Sequence, residues 1–168
     1  MAQREHGLSR FLPEEVARSI AAGQQPLALG GQRREVSVLF ADVVAFTRFA
    51  ESAQPEQVVA LLNELFTVLV EVVFRHGGIV DKFMADSMMS YWGAPVKTEH
   101  HALLAALAAL ALVRESLRNP LKKIFDSTVG RPLRLRCGIS TGNTFVNLAD
   151  ACLRLSPALG HIHLSTIC

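Results

Sequence analysis

Charge of one sign is scarce in this chain. Its 168 residues carry 17 Lys and Arg against 15 Asp and Glu, a formal net charge of +2. That balance offers no dense basic stripe, which argues against a nucleic-acid-binding domain. Cysteine is also sparse: Cys137, Cys152 and Cys168 show no close metal spacing, and an odd number cannot all pair within one chain. A reducing, cytoplasmic compartment is the expectation. Long hydrophobic runs are missing, since the longest, 102–113, is shorter than the roughly 20 residues a membrane span needs. Arg4, Glu5 and His6 stand where the apolar part of a signal peptide would begin. What is abundant is core material: 50% of the residues are hydrophobic and 19% charged, which excludes a disordered chain. The histidines make poor metal pairs. His100 and His101 are neighbours on a helix and diverge, while His161 and His163 would share one strand face as ordinary surface residues.

The order of hydrophobic patterns sets the architecture. Residues 1–33 read as an N-terminal helix and a coupling linker, with Pro13 and Glu14 opening an apolar stripe of Val16, Ile20 and Ala21 that Gly23 ends. Residues 34–168 read as one domain. Val36, Val38 and Phe40 alternate with Ser37, Leu39 and Ala41 in a strand ending at Asp42. A helix starting near Pro55 carries Val58, Leu61, Leu62, Leu65, Leu69 and Val72 on one face, and Gly77-Gly78 stops it. Runs at 79–83 and 87–92 read as a hairpin, 99–119 as an Ala/Leu-rich helix, and 133–139 as a strand. Residues 145–155 are expected to be helical, and 162–165 a last strand. Helices that return the chain to one antiparallel-containing sheet predict a ferredoxin-like, palm-type α+β sandwich.

Two carboxylates stand out on that plan. Asp42 ends the first strand and Asp86 sits in the hairpin turn, so neighbouring strands would bring them to one end of the sheet. Paired carboxylates plus substrate phosphates are a common way to hold Mg²⁺, although Asp is also an ordinary strand-end and turn residue. The stretch Val43-Val44-Ala45-Phe46-Thr47 leads into a short helix whose exposed amides would cradle phosphates. The plainer alternative is a helix capped by Thr47.

These segments together resemble a known family. VSVLFADVVAFTRFAE is similar to the first signature of class III adenylyl and guanylyl cyclases, and GGIVDKFMADSMMSYWGAP to their second, with Lys82 four residues before Asp86. LRLRCGISTG and VNLADA resemble two later segments, and the leader FLPEEVARSIAAGQQPLALGGQRREV resembles the linker that joins sensor domains to bacterial cyclases. The resemblance implies conversion of ATP to cyclic AMP in a signalling protein. Two Mg²⁺ or Mn²⁺ ions would be held by Asp42, Asp86 and the Val43 carbonyl. Amides of Ala45, Phe46 and Thr47 would take the triphosphate, Lys82 the adenine edge, and Asn147 the ribose. It implies a head-to-tail homodimer with composite sites, metals from one protomer and Lys82 and Asn147 from the other, and an upstream sensor domain.

The departures from the pattern are equally concrete. Ala45 and Ala85 replace two usual glycines, at positions where positive φ or close backbone approach is expected. Only four residues separate Gly142 from Asn147, where the family places a hairpin carrying a second purine contact and dimer surface. The transition-state arginine position is Ala151, with Arg154 as the nearby substitute, and the family's triphosphate lysine would lie beyond Cys168. The chain as written is therefore expected to turn over slowly. A guanylyl cyclase would carry Glu at position 82, and a non-catalytic regulatory module is the rival from a different class. The turn signature of diguanylate cyclases is absent.

Overall fold

The computed structural model describes residues 32–118, 122–149, 152–156 and 165–167. The order is β1 (Gln32–Val43), α1 (Phe46–Ser52), α2 (Pro55–Arg75), β2 (Ile79–Met84), β3 (Ser87–Trp92), α3 (His101–Ser116), α4 (Lys122–Val129), β4 (Leu135–Ala149), β5 (Cys152–Ser156) and β6 (Ser165–Ile167). The expected N-terminal helix, most of its linker, His161, His163 and Cys168 lie outside the described residues. The strands form one sheet in the order β2-β3-β1-β4-β5, with β6 also paired to β4. Every recorded pairing is antiparallel, and β4-β1-β3-β2 is the ferredoxin-like arrangement predicted from the pattern.

Strand β1 shows how the sheet divides. Leu39, Ala41 and Val43 are buried against the helices, whereas Phe40 on the alternate face is 37% exposed. Register puts Asp42 opposite Ser87 and Arg136, and Phe40 opposite Met89 and Gly138. Side chains directly opposite across a strand pair share a face, so these residues line the side of the sheet away from the described helices. The alternation was legible in sequence, but the choice of buried face was not.

Helix α2 closes the other side with Leu61, Leu65, Leu69, Val72 and Val73 buried. By length and composition alone it is long and apolar enough to cross a membrane. Its stripe instead belongs to the cluster that holds Leu39, Val80, Met88 and Trp92 of the sheet. Helix α3 turns its alanines inward: Ala105, Ala108, Ala109 and Leu112 are buried, while Leu103, Leu107 and Leu110 are exposed. Small inward residues let the helix lie close on the sheet. His101 anchors its start, since Ser37 Oγ lies 2.8 Å from His101 Nδ1 and 2.6 Å from Thr141 Oγ1. That part-buried polar knot gives His101 a structural role at the start of α3.

Three expectations need correction. Residues 145–149 and 152–155 are strand, not helix: β4 continues to Ala149 and pairs with β5, so Asn147 lies within paired strands instead of following a hairpin. Cross-strand pairing here outweighs a weak helical pattern, as tertiary context often does. Helix α4 was not anticipated, because its eight residues offer only Phe125 and Val129 as buried anchors amid polar neighbours. Its Asp126 accepts from the Leu133 amide at 2.7 Å and pairs with Lys122, fixing the approach to β4. Burial alone would raise the Asp126 pKa, but Lys122 and the Leu133 amide outweigh it and hold the carboxyl below its ordinary value. Finally, Thr47 does not cap α1; the cap position is Ala45, with no side-chain capping bond.

Candidate functional site

The C-terminal end of β1 brings the charged groups together. Asp42 accepts from Ser87 Oγ at 2.8 Å through one carboxylate oxygen and from Arg136 Nη2 at 2.6 Å through the other. Arg136 was not among the expected site residues. Leu133, Leu135 and Cys137 alternate with arginines in the sequence, so Arg134 and Arg136 fall together on the other side of the strand. Only the β1–β4 register sets it opposite Asp42.

Asp86 joins this group from the two-residue turn between β2 and β3. Burial pushes its carboxyl above the ordinary 3.8, and the charge of Asp42 and a hydrogen bond shared with it push the same way. The amides of Asp86 and Val43 oppose the shift. Two carboxylates therefore share one small space, and one of them resists ionisation. A carboxyl whose pKa is higher folded than unfolded favours folding most at acid pH. That contribution is lost as pH rises from the ordinary value through the raised one. A divalent cation between the carboxylates would remove the conflict. The all-oxygen donor set suits Mg²⁺ or Mn²⁺, which keep several ligand positions for water and phosphate. Among the described residues no group of three or more His, Cys, Asp or Glu gathers, so protein ligation would rest on this pair. Val43 presents its amide to Asp86, a contact that the expectation about its carbonyl did not include.

Next to the pair, two alanines hold strained backbone. Ala45 has φ 63° and Ala85 φ 53°, the two positive-φ residues other than glycine among those described. These are the positions where the family resemblance led us to expect glycine. Left-handed backbone costs a residue with a Cβ about 1–2 kcal/mol, so Ala45→Gly and Ala85→Gly are each expected to raise stability by about 1 kcal/mol. Thermal unfolding of each variant would show this as a melting temperature a few degrees higher. A lower melting temperature in both would contradict it. Ala45 opens α1, whose first amides, including those of Phe46 and Thr47, have no intrahelical acceptor. Phe49 anchors that helix, fully buried with its ring 5.0 Å from Phe125 and 6.4 Å from Phe46.

The remaining expected residues are spread across the sheet. Lys82 pairs in register with Met89, in the row beside Asp42 and two strands away, roughly 10 Å across the open face. Asn147 and Arg154 are cross-strand partners on β4 and β5. They lie toward the opposite end of the sheet, roughly 35 Å along an extended β4 from Arg136. A single chain thus gathers Asp42, Asp86, Val43 and the start of α1, but not Asn147 or Arg154. Cys137, buried on β4 opposite Ala41 of Asp42's strand, has its thiol pushed up to about 12 by burial and stays an unreactive core residue.

Comparison with known proteins gives a consistent result. A family model described as the adenylate and guanylate cyclase catalytic domain matches residues 31–152. Adenylate cyclase 1 of Rhizobium meliloti is 38% identical over 152 residues, covering 86% of this chain and 22% of that protein. The chain thus spans about a fifth of the length of that relative. The crystal structure of the guanylyl cyclase Cya2 superposes with a TM-score of 0.65 at 30% identity, over 76% of this chain and 65% of the other. That of the adenylyl cyclase CyaB from P. aeruginosa gives 0.65 at 27% identity, over 76% and 67%.

Proposed function

The chain belongs to the adenylate and guanylate cyclase catalytic-domain family, and from that premise we propose that it forms cyclic AMP and pyrophosphate from ATP within a larger signalling protein. The observation that carries the reading is the meeting of Asp42 and Asp86 at the end of β1, with the Asp86 carboxyl raised by burial and by its neighbour. Two bound Mg²⁺ or Mn²⁺ ions would supply an acidified ribose 3′-hydroxyl and charge neutralisation at the phosphates. Asp42, Asp86 and the Val43 carbonyl would hold them. The 3′-hydroxyl gives up its proton to water, its oxygen bonds to the α-phosphorus, and the bond to the pyrophosphate leaving group breaks. The amides of Ala45, Phe46 and Thr47 take the β- and γ-phosphates, and Arg136, released from Asp42, faces the same charge. Lys82 donates to adenine N1, Asn147 orients the ribose, and Arg154 stands in for the transition-state arginine.

The distance between Asn147 and Asp42 within one chain favours composite sites in a head-to-tail homodimer, in which each protomer completes the other's site. Both adenylyl and guanylyl cyclases resemble this chain, so the base preference is the decisive test. A lysine donor facing guanine N1–H is left unpaired, at a cost of about 1–3 kcal/mol. Lys82→Glu is expected to weaken ATP use and shrink the ATP-over-GTP ratio by about tenfold or more. Rates of cyclic AMP and cyclic GMP formation with Mn²⁺ measure it. A wild-type protein that prefers GTP would overturn the adenylyl reading and leave a guanylyl cyclase.

A further inference from the structure

The β2 strand breaks its own alternation just before Lys82. Val80 pairs with Ser90, and Lys82 with Met89, so Asp81 is the extra residue of a bulge. In an unbroken strand Asp81 and Lys82 would point to opposite faces. Here Asp81 Oδ2 lies 3.1 Å from Lys82 Nζ. Bulges re-aim side chains in this way and are common beside active sites. The two partners differ sharply in exposure: the Asp81 side chain is 3% exposed and that of Lys82 56%.

We propose that Asp81 is a positioning residue that holds the Lys82 ammonium in place for the purine, an inference that rests on the reading of Lys82 as the adenine contact. A buried carboxylate needs a compensating charge, and the cation beside it is Lys82. The contact is close but not aligned as a hydrogen bond, since Asp81 Oδ2 has no hydrogen-bond partner among the described residues. The ammonium is therefore held by charge while its three N–H donors stay available for a purine acceptor. A lysine on a free four-carbon stem loses much rotamer freedom when it docks; one already tethered loses less. The bulge thus prepays the ordering of the base-reading side chain. The row geometry fits, because Lys82 shares the open face with Phe40 and Met89, one row from Asp42.

The test is a double-mutant cycle on nucleotide binding, with ATP and GTP dissociation constants measured by calorimetry in Ca²⁺ for the full chain. Asp81→Asn is expected to weaken ATP by about 3- to 10-fold while leaving GTP within about twofold. The same change in a Lys82→Ala background is expected to alter ATP affinity by less than about twofold, because Asp81 acts only through the lysine. An equal loss in both backgrounds, or no loss in either, overturns the proposal while leaving the Lys82 reading intact. If Lys82→Ala itself leaves ATP affinity unchanged, or the wild type binds neither nucleotide, the Lys82 reading fails and takes the proposal with it. Side-chain NMR of the nucleotide-free wild type decides the case in which Asp81→Asn does not fold. A restrained Lys82 ε-methylene supports the tether, and one as mobile as other surface lysines overturns it.

Discussion

Replacing Asp42 by Asn is expected to lower Mn²⁺-dependent cyclic nucleotide formation by about 10²–10³-fold, the equivalent of several kcal/mol of lost metal stabilisation. Asn is nearly isosteric and keeps an oxygen for Ser87 Oγ, so the strand end should survive. What disappears is the charge that pairs with Arg136 and that we propose for the metals. The freed arginine costs little, because its side chain is 58% exposed and water can solvate it. A second consequence separates loss of charge from general damage. Asp42 is part of what raises the Asp86 pKa, after burial, so in the variant Asp86 should titrate closer to its ordinary value. Metal-free wild type should lose stability as pH rises through the raised Asp86 range, and the variant should lose less. Urea unfolding across mildly acidic pH reads this difference directly. Turnover within about twofold of wild type, with an unchanged pH profile, would remove Asp42 from the metal site.

Phe49→Ala is expected to cost about 3–5 kcal/mol of stability, a large share of the roughly 5–15 kcal/mol that holds a domain of this kind together. Phe49 is fully buried and stacks on Phe125 of α4, so truncation leaves a void between two short helices that have few other anchors. The loss should reach function as well. Helix α1 carries the amides proposed to grip the triphosphate, and Phe49 is its one buried residue. Nucleotide affinity should therefore fall even in variants that remain folded at low temperature. Phe49→Leu, which refills much of the space, should recover most of both losses. Chemical unfolding of the two variants is the measurement, and a cost below about 1 kcal/mol for Phe49→Ala would mean that α1 is held some other way.

The places where expectation and structure part have identifiable causes. The 145–155 stretch mixes Val146, Leu148, Leu153 and Leu155 without a period that decides between helix and strand, and pairing between β4 and β5 decided it. That outcome also changes how Arg154 relates to Asn147. A helix would have put them about two turns apart, whereas the hairpin makes them cross-strand partners. Arg136 was missed because a solvent-face arginine in a strand is unremarkable until its register is known. Asp81 was passed over for a related reason: strand alternation assigns it the face opposite Lys82, and a bulge cannot be read from six residues of pattern.

The sequence by itself determined the order of the elements from β1 to the helix at 101–116, the antiparallel palm-type sheet, and the strand-end and turn positions of Asp42 and Asp86. These follow from local physics, side-chain periodicity and turn chemistry, which act within a few residues, whereas the two backbone sites that glycine would suit came from the family resemblance. The tertiary structure alone decided which face of β1 is buried, that Arg136 and Ser87 both bond to Asp42, that Asp86 is pushed up by its neighbour, and that Asp81 turns toward Lys82. Each of those depends on strand register or on burial, which are set by contacts between segments far apart in the chain. A shift of one residue in β1–β4 pairing would leave every local pattern intact and would move Arg136 off Asp42.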